Sequence, residues 1–180
     1  MGEKIGGYCE SPGISFVQSL FSQSLVQKHR IGTIRALDDG RVFAYAKAGA
    51  TLAAGEMTQA AVPITYSTEC AVQAAGAIGD KHIHITYGAS TAIANYYRDG
   101  FALSAMPAYG IGGMYKVRGH VAFTSGGTHE ILLYDSLWEA LTTSSKISLT
   151  KHPQDSVIQM VTTTPTGVVA GVPPIDVTDT

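Results

Sequence analysis

Lys81-His-Ile-His-Ile-Thr-Tyr87 alternates polar and apolar residues without a break. Successive side chains of a strand point to opposite faces. Ile83, Ile85 and Tyr87 therefore share one face, and His82, His84 and Thr86 share the other. Gly79-Asp80 ahead of the run supplies a turn. The stretch predicts a strand with one buried face, and it sets the pattern for reading the rest.

Toward the N-terminus, Ile31-Gly-Thr-Ile-Arg-Ala-Leu37 also alternates and stops at Asp38-Asp39-Gly40. Arg41 to Lys47 resumes beyond the turn, where Val42 is out of phase with Phe43 and Tyr45. Two alternating runs around a turn predict a hairpin. Ala48 to Ala61 is alanine-rich, but Gly49 and Gly55 would each cost ~1 kcal/mol inside a helix, so a loop with one turn is expected. Val62 to Cys70 alternates after Pro63 and predicts a further strand. Residues 14 to 29 carry apolar residues on mixed spacings and fit a short helix or a strand pair equally. Residues 1 to 13 are too glycine-rich for a helix and fit an extended arm that orders against a neighbour.

Toward the C-terminus, Thr91 to Tyr97 predicts one or two helical turns, followed by strands over Phe101–Ala105, Tyr109–Arg118 and Gly119–Thr124. Ser125-Gly-Gly-Thr128 forms a hairpin loop into His129–Tyr134. Asp135 to Leu141 crosses to Lys146–Thr150, and Val157–Val161 makes another strand. Pro173-Pro174 blocks regular pairing in the tail. Short strands separated by Gly, Asp and Ser turns predict an all-β fold, a β-sandwich or β-barrel of antiparallel strands with little helix. The expected organisation is an N-terminal arm over residues 1–30, a β-rich body over 31–162 and an extended tail over 163–180.

Hydrophobic residues make up 45% of the 180, enough for a sizeable core, while charged residues reach only 14%. The usual charged share is about a quarter. The net charge of −2 argues against nucleic acid, whose binders cluster Lys and Arg to displace counterions. The sequence shows no basic-then-apolar leader and no apolar run of the ~18 residues that a spanning helix needs, so no membrane partner is expected. Cys9 and Cys70 are expected as free thiols in a reducing cytoplasm, Cys70 as a small core residue.

Each candidate for chemistry has a plainer explanation. His82 and His84, two apart on one strand face, offer two imidazoles to a metal, with His120, His129 or Asp80 as possible further ligands. A polar outer face or a subunit contact explains them as well. Gly110-Ile-Gly-Gly113 lacks the Lys-Ser/Thr of a phosphate loop and precedes a strand-like run, which leaves a flexible turn. Asp38-Asp39 is explained by its turn, and no Gly-x-Ser-x-Gly elbow marks a nucleophile. Tyr96-Tyr97, Tyr109, Tyr115 and Trp138 would suit a sugar platform, or a core or interface. No catalytic, cofactor-binding or metal residue is assigned on these grounds.

Ile31-Gly-Thr and Asp39-Gly-Arg-Val-Phe-Ala-Tyr-Ala-Lys-Ala-Gly49 resemble the N-terminal region of structural proteins of tailed bacteriophages, notably marine and environmental ones. Thr91-Ala-Ile-Ala-Asn-Tyr-Tyr-Arg-Asp-Gly100, Gly113-Met-Tyr-Lys-Val-Arg118, Leu132-Leu-Tyr-Asp135, Ala140-Leu-Thr-Thr-Ser144 and the run from Thr163 to Pro174 are similar to the same group in the same order. The resemblance implies a virion structural protein, a capsid decoration (cement) protein that binds the outside of the shell. It further implies the major capsid protein as partner, a homotrimer, and assembly in the host cytoplasm. It supplies no active-site residues, so no enzyme is expected. A fibre-type module gripping host glycans through Tyr109, Tyr115 and Trp138, and a small cupin-type β-barrel enzyme using His82 and His84, are the alternatives.

Overall fold

The computed structural model describes residues 18–106, 111–161 and 164–178. Among these residues the fold is all-β, with eleven strands and no helix, so no helix is long and apolar enough to cross a membrane. The chain divides into two compact units, one formed by residues 1–62 with 153–180 and the other by residues 63–152. The stretch 31–162, expected as a single body, is thus distributed over both.

In the first unit, β1 (Ile34–Ala36) and β2 (Val42–Ala44) form the hairpin expected from the alternation around Gly40. Gly40 takes φ +85°, which the turn requires, and the Asp39 carboxylate accepts the Arg41 amide at 3.0 Å. The same carboxylate lies 2.6 Å from the Arg41 guanidinium, whose hydrogen bond holds the acid below the usual carboxylate range. The sequence explanation of this acid as turn chemistry matches that geometry.

A second sheet in this unit has the order β10-β3-β11, with β3 (Thr58–Gln59) between β10 (Ile158–Gln159) and β11 (Val169–Gly171). β3 and β11 lie in stretches where the sequence predicted loop and tail. Residues 18–30 hold bends and turns and neither the helix nor the strand pair left open by their spacing. The expected arm over residues 1–13 lies outside the described residues.

The second unit is a closed antiparallel barrel in the order β4-β5-β8-β7-β6-β9. Its strands are β4 (Cys70–Val72), β5 (His82–Thr86), β6 (Phe101–Met106), β7 (Ile111–His120), β8 (Thr128–Leu133) and β9 (Lys146–Thr150). β6, β7 and β8 follow one another as antiparallel neighbours, and β9 returns by a longer connection to lie beside β6, a Greek-key arrangement. β4 pairs with both β5 and β9 and completes the ring.

The period of two decides which residues fill the barrel. Ile83 and Ile85 from β5, Ile131 and Leu133 from β8, Val117 from β7 and Ile147 from β9 are all buried. At ~25 cal/mol per Å² of apolar surface, burying one such side chain contributes about 1.5–3 kcal/mol. The face split predicted for Lys81 to Tyr87 is the one observed: Ile83, Ile85 and Tyr87 are buried, His82 is exposed, and His84 and Thr86 are half-buried.

Four sequence expectations fail in this unit, one of them the strand over Gly119–Thr124, where β7 ends at His120 and only an isolated bridge at Phe123 follows. Val62 to Cys70 is irregular until its last residue, because Tyr66 and Glu69 take φ +68° and +53°, which breaks a ladder. Thr91 to Tyr97 makes no helical turn; successive turns bond Tyr96 to Ile93, Arg98 to Asn95 and Gly100 to Tyr97. Gly112 and Gly113 are not a flexible turn but part of β7. A Cβ on Gly113 would lie 2.7 Å from the Tyr115 ring and 2.8 Å from the Ser104 hydroxyl, so glycine there makes room for both.

Candidate functional site

The outer face of β5 and β8 brings chemistry-bearing side chains together. Five consecutive pairs, from His82↔Leu132 to Thr86↔Thr128, fix the register of these two strands. His84 stands directly opposite Glu130. Directly opposed residues share a face, and i, i+2 spacing puts His82 on that face too. The ligand atoms of His82, His84 and Glu130 all lie within 4.8 Å of one another. The two imidazoles meet edge to face, with centroids 5.4 Å apart.

Sequence reasoning found the two histidines and missed the acid. Glu130 lies 46 residues beyond His84, and only the β5–β8 register identifies it. The ligands suggested in its place are engaged elsewhere. The Asp80 carboxylate accepts the Ala77 amide at 2.8 Å within its turn. The His120 Nε2 accepts the Tyr97 amide at 3.1 Å, and its Nδ1 lies 2.6 Å from the Val121 carbonyl oxygen. That pair of contacts fits a neutral ring protonated at Nδ1. Burial pushes the His120 imidazole below its usual range; the Val121 carbonyl opposes the shift and His129 adds to it. His129 Nε2 accepts the Thr124 amide at 2.9 Å.

His120 and His129 belong instead to an aromatic cluster. Phe123 lies between them, with ring centroids 4.1 Å from His120 and 4.8 Å from His129. Tyr87 approaches Phe123 at 4.9 Å. The Tyr87 and Tyr97 hydroxyls are 2.6 Å apart and buried. Burial raises the pKa of both tyrosines and of Tyr115, and pushes the Cys70 thiol up as well. Cys70 is a buried free thiol, the small core residue its apolar surroundings predicted. Cys9 lies outside the described residues.

The sugar platform does not assemble. Tyr115 and Tyr97 are each 1% exposed and belong to the core. Trp138 is half exposed, Tyr96 lies under the Lys151 ammonium at 4.3 Å, and Tyr109 is outside the described residues. A cupin-like internal centre does not assemble either. His82 and His84 stand on the outside of a ring whose interior is filled by Ile, Leu, Val and Tyr.

The first unit presents a different kind of surface. Among its described residues only Ile31, Leu52 and Val157 are buried large hydrophobics, while Phe21, Leu25, Val26, Val42 and Val168 are each more than 60% exposed. An open groove of ≈ 910 Å³ runs through this unit, lined among others by Leu25, Val42, Tyr45, Leu52, Val172 and Pro173. No protein-family model, curated protein or solved structure matches the chain.

Proposed function

We propose that this chain is a non-enzymatic virion structural protein, a decoration protein that binds the outside of a bacteriophage shell as a homotrimer and bridges neighbouring copies of the major capsid protein. The observation that carries the reading is the first unit, whose described residues include more large apolar side chains in solvent than buried ones. Leu25, Val42 and Val172 line one open groove, and exposed apolar side chains gathered in this way favour a contact surface. A low charge density favours such contacts, because few ions must be stripped of water. Resemblance of the stretches over residues 31–174 to phage structural proteins supplies the identity of the partner.

The mechanism is mechanical. Each joint adds buried apolar area at ~25 cal/mol per Å², and closed symmetry repeats that gain around every axis. Cryo-EM of the source particle tests the reading. Density for the chain on the outer surface, in contact with the shell protein and with the first unit at the contact, is the expected result. A chain that does not touch the shell protein overturns it. Leu25→Asp with Val42→Asp is expected to abolish rebinding to stripped particles while leaving the melting temperature of the free protein unchanged.

A further inference from the structure

We propose that His82, His84 and Glu130 form a binding site for a zinc-class divalent cation on the outer face of the barrel. The inference is independent of the decoration reading and rests on convergence, lack of competing partners and rigidity.

The convergence is three-sided. Two imidazole nitrogens and a carboxylate oxygen lie within 4.8 Å of one another. Tetrahedral zinc, with bonds of 2.0–2.2 Å to such atoms, sets its ligand atoms about 3.3 Å apart. His82 and Glu130 are exposed and His84 is half-buried, so their outer side-chain torsions have room to turn toward a shared ion.

The competing explanation is a polar outer strand face, whose side chains bond one another or solvent. Here none of the three side chains makes a hydrogen bond or ion pair with any other described residue. His120 and His129, by contrast, bond backbone amides through their ring nitrogens and have no free nitrogen pair to offer. An acid and two unpaired imidazoles gathered on one face are the donor set for a cation.

The rigidity comes from the ladder. β5 and β8 are interior members of the closed ring, paired through five consecutive residues. Buried Ile83, Ile85 and Ile131 anchor the inner face behind the site. Ligands mounted on such strands keep their spacing when the ion is absent.

The donor set decides which ion. Two imidazoles with one carboxylate suit zinc, cobalt or nickel; calcium and magnesium require oxygen ligands. Three protein ligands leave a coordination position for water.

Isothermal titration of the metal-stripped full chain with ZnCl2, and separately with CaCl2, tests the site. One equivalent of zinc per chain with no calcium uptake is expected, as is a visible d–d absorption on titration with Co²⁺. His82→Ala, His84→Ala and Glu130→Ala should each weaken zinc binding by about tenfold or more, since even the loss of a residue behind a ligand costs that much. Their melting temperatures without metal should match that of the parent. Absence of stoichiometric zinc uptake, equal affinity for calcium, or zinc binding unchanged in His84→Ala with Glu130→Ala would each overturn the proposal.

Discussion

The hydroxyls of Tyr87 and Tyr97 meet at 2.6 Å inside the barrel and satisfy each other away from solvent. Deleting one leaves a buried polar atom without its partner, a loss of about 1–3 kcal/mol. Tyr87→Phe and Tyr97→Phe are each expected to destabilise the protein by that amount. The double variant should cost less than the sum of the two. Urea unfolding of all four proteins in a double-mutant cycle measures the coupling.

Stability should fall on both sides of neutral pH. Tyr87, Tyr97, Tyr115 and Cys70 have folded-state pKa values raised by burial. Their contribution is complete below the unfolded values, about 8.5 for cysteine and 10 for tyrosine, and is lost as pH rises beyond them. His120 is depressed by burial, so its contribution is complete above about pH 6.5 and is lost as pH falls through its lower folded value. Melting temperatures from pH 4 to 11 are expected to trace a plateau between these limits. His120→Gln should flatten the acid side and leave the alkaline side unchanged.

Glycine substitutions should separate crowding from backbone strain. A Cβ on Gly100 would run into the Thr150 carbonyl and the Lys151 Cα, backbone atoms of a paired strand and its continuation that cannot step aside. Gly100→Ala is expected to cost 3 kcal/mol or more, at or above the upper end of the ~1–3 kcal/mol typical of overpacking. Gly126 has open space around it and φ +67°, so Gly126→Ala pays only conformational strain of about 1 kcal/mol. Thermal melts of the two variants give the comparison.

Burial should rank truncations in the two units. Ile85 is fully buried, and Ile85→Ala should lose about 2–5 kcal/mol by cavity formation. Leu25 is 85% exposed, so Leu25→Ala should change the stability of the free chain by less than about 0.5 kcal/mol. Denaturant midpoints at constant m-value report both.

Much of the barrel was legible because strand alternation is a local property. Ile83, Ile85 and Tyr87 could be assigned to one face from spacing alone, and the hairpin around Gly40 from its turn. Three features depend on information that a single stretch does not carry. Val62 to Cys70 alternates like a strand, yet positive φ at Tyr66 and Glu69 bends it out of one. Val169 to Gly171 looks like tail in a Pro- and Gly-rich region, and becomes β11 only because β3 offers it a partner. Glu130 joins His82 and His84 through register, which long-range pairing sets. For the same reason Tyr115 was open to reading as a surface aromatic until its strand was placed and its ring turned inward.

Closure of the barrel by β4 and β9 has a consequence for assembly. A ring of paired strands presents no row of vacant amides and carbonyls, so another chain cannot extend it by adding a strand. Copies that meet at the barrel must meet through side chains, and single substitutions can tune or abolish such a contact. In the first unit β10 and β11 each flank β3 at a margin of their sheet. Backbone pairing between chains, which tolerates sequence drift on either partner, has its opportunity there and at the outer edges of the two-stranded β1–β2 sheet, among the described strands. A contact at the barrel is thus limited to side chains, whereas the first unit offers both side chains and strand margins.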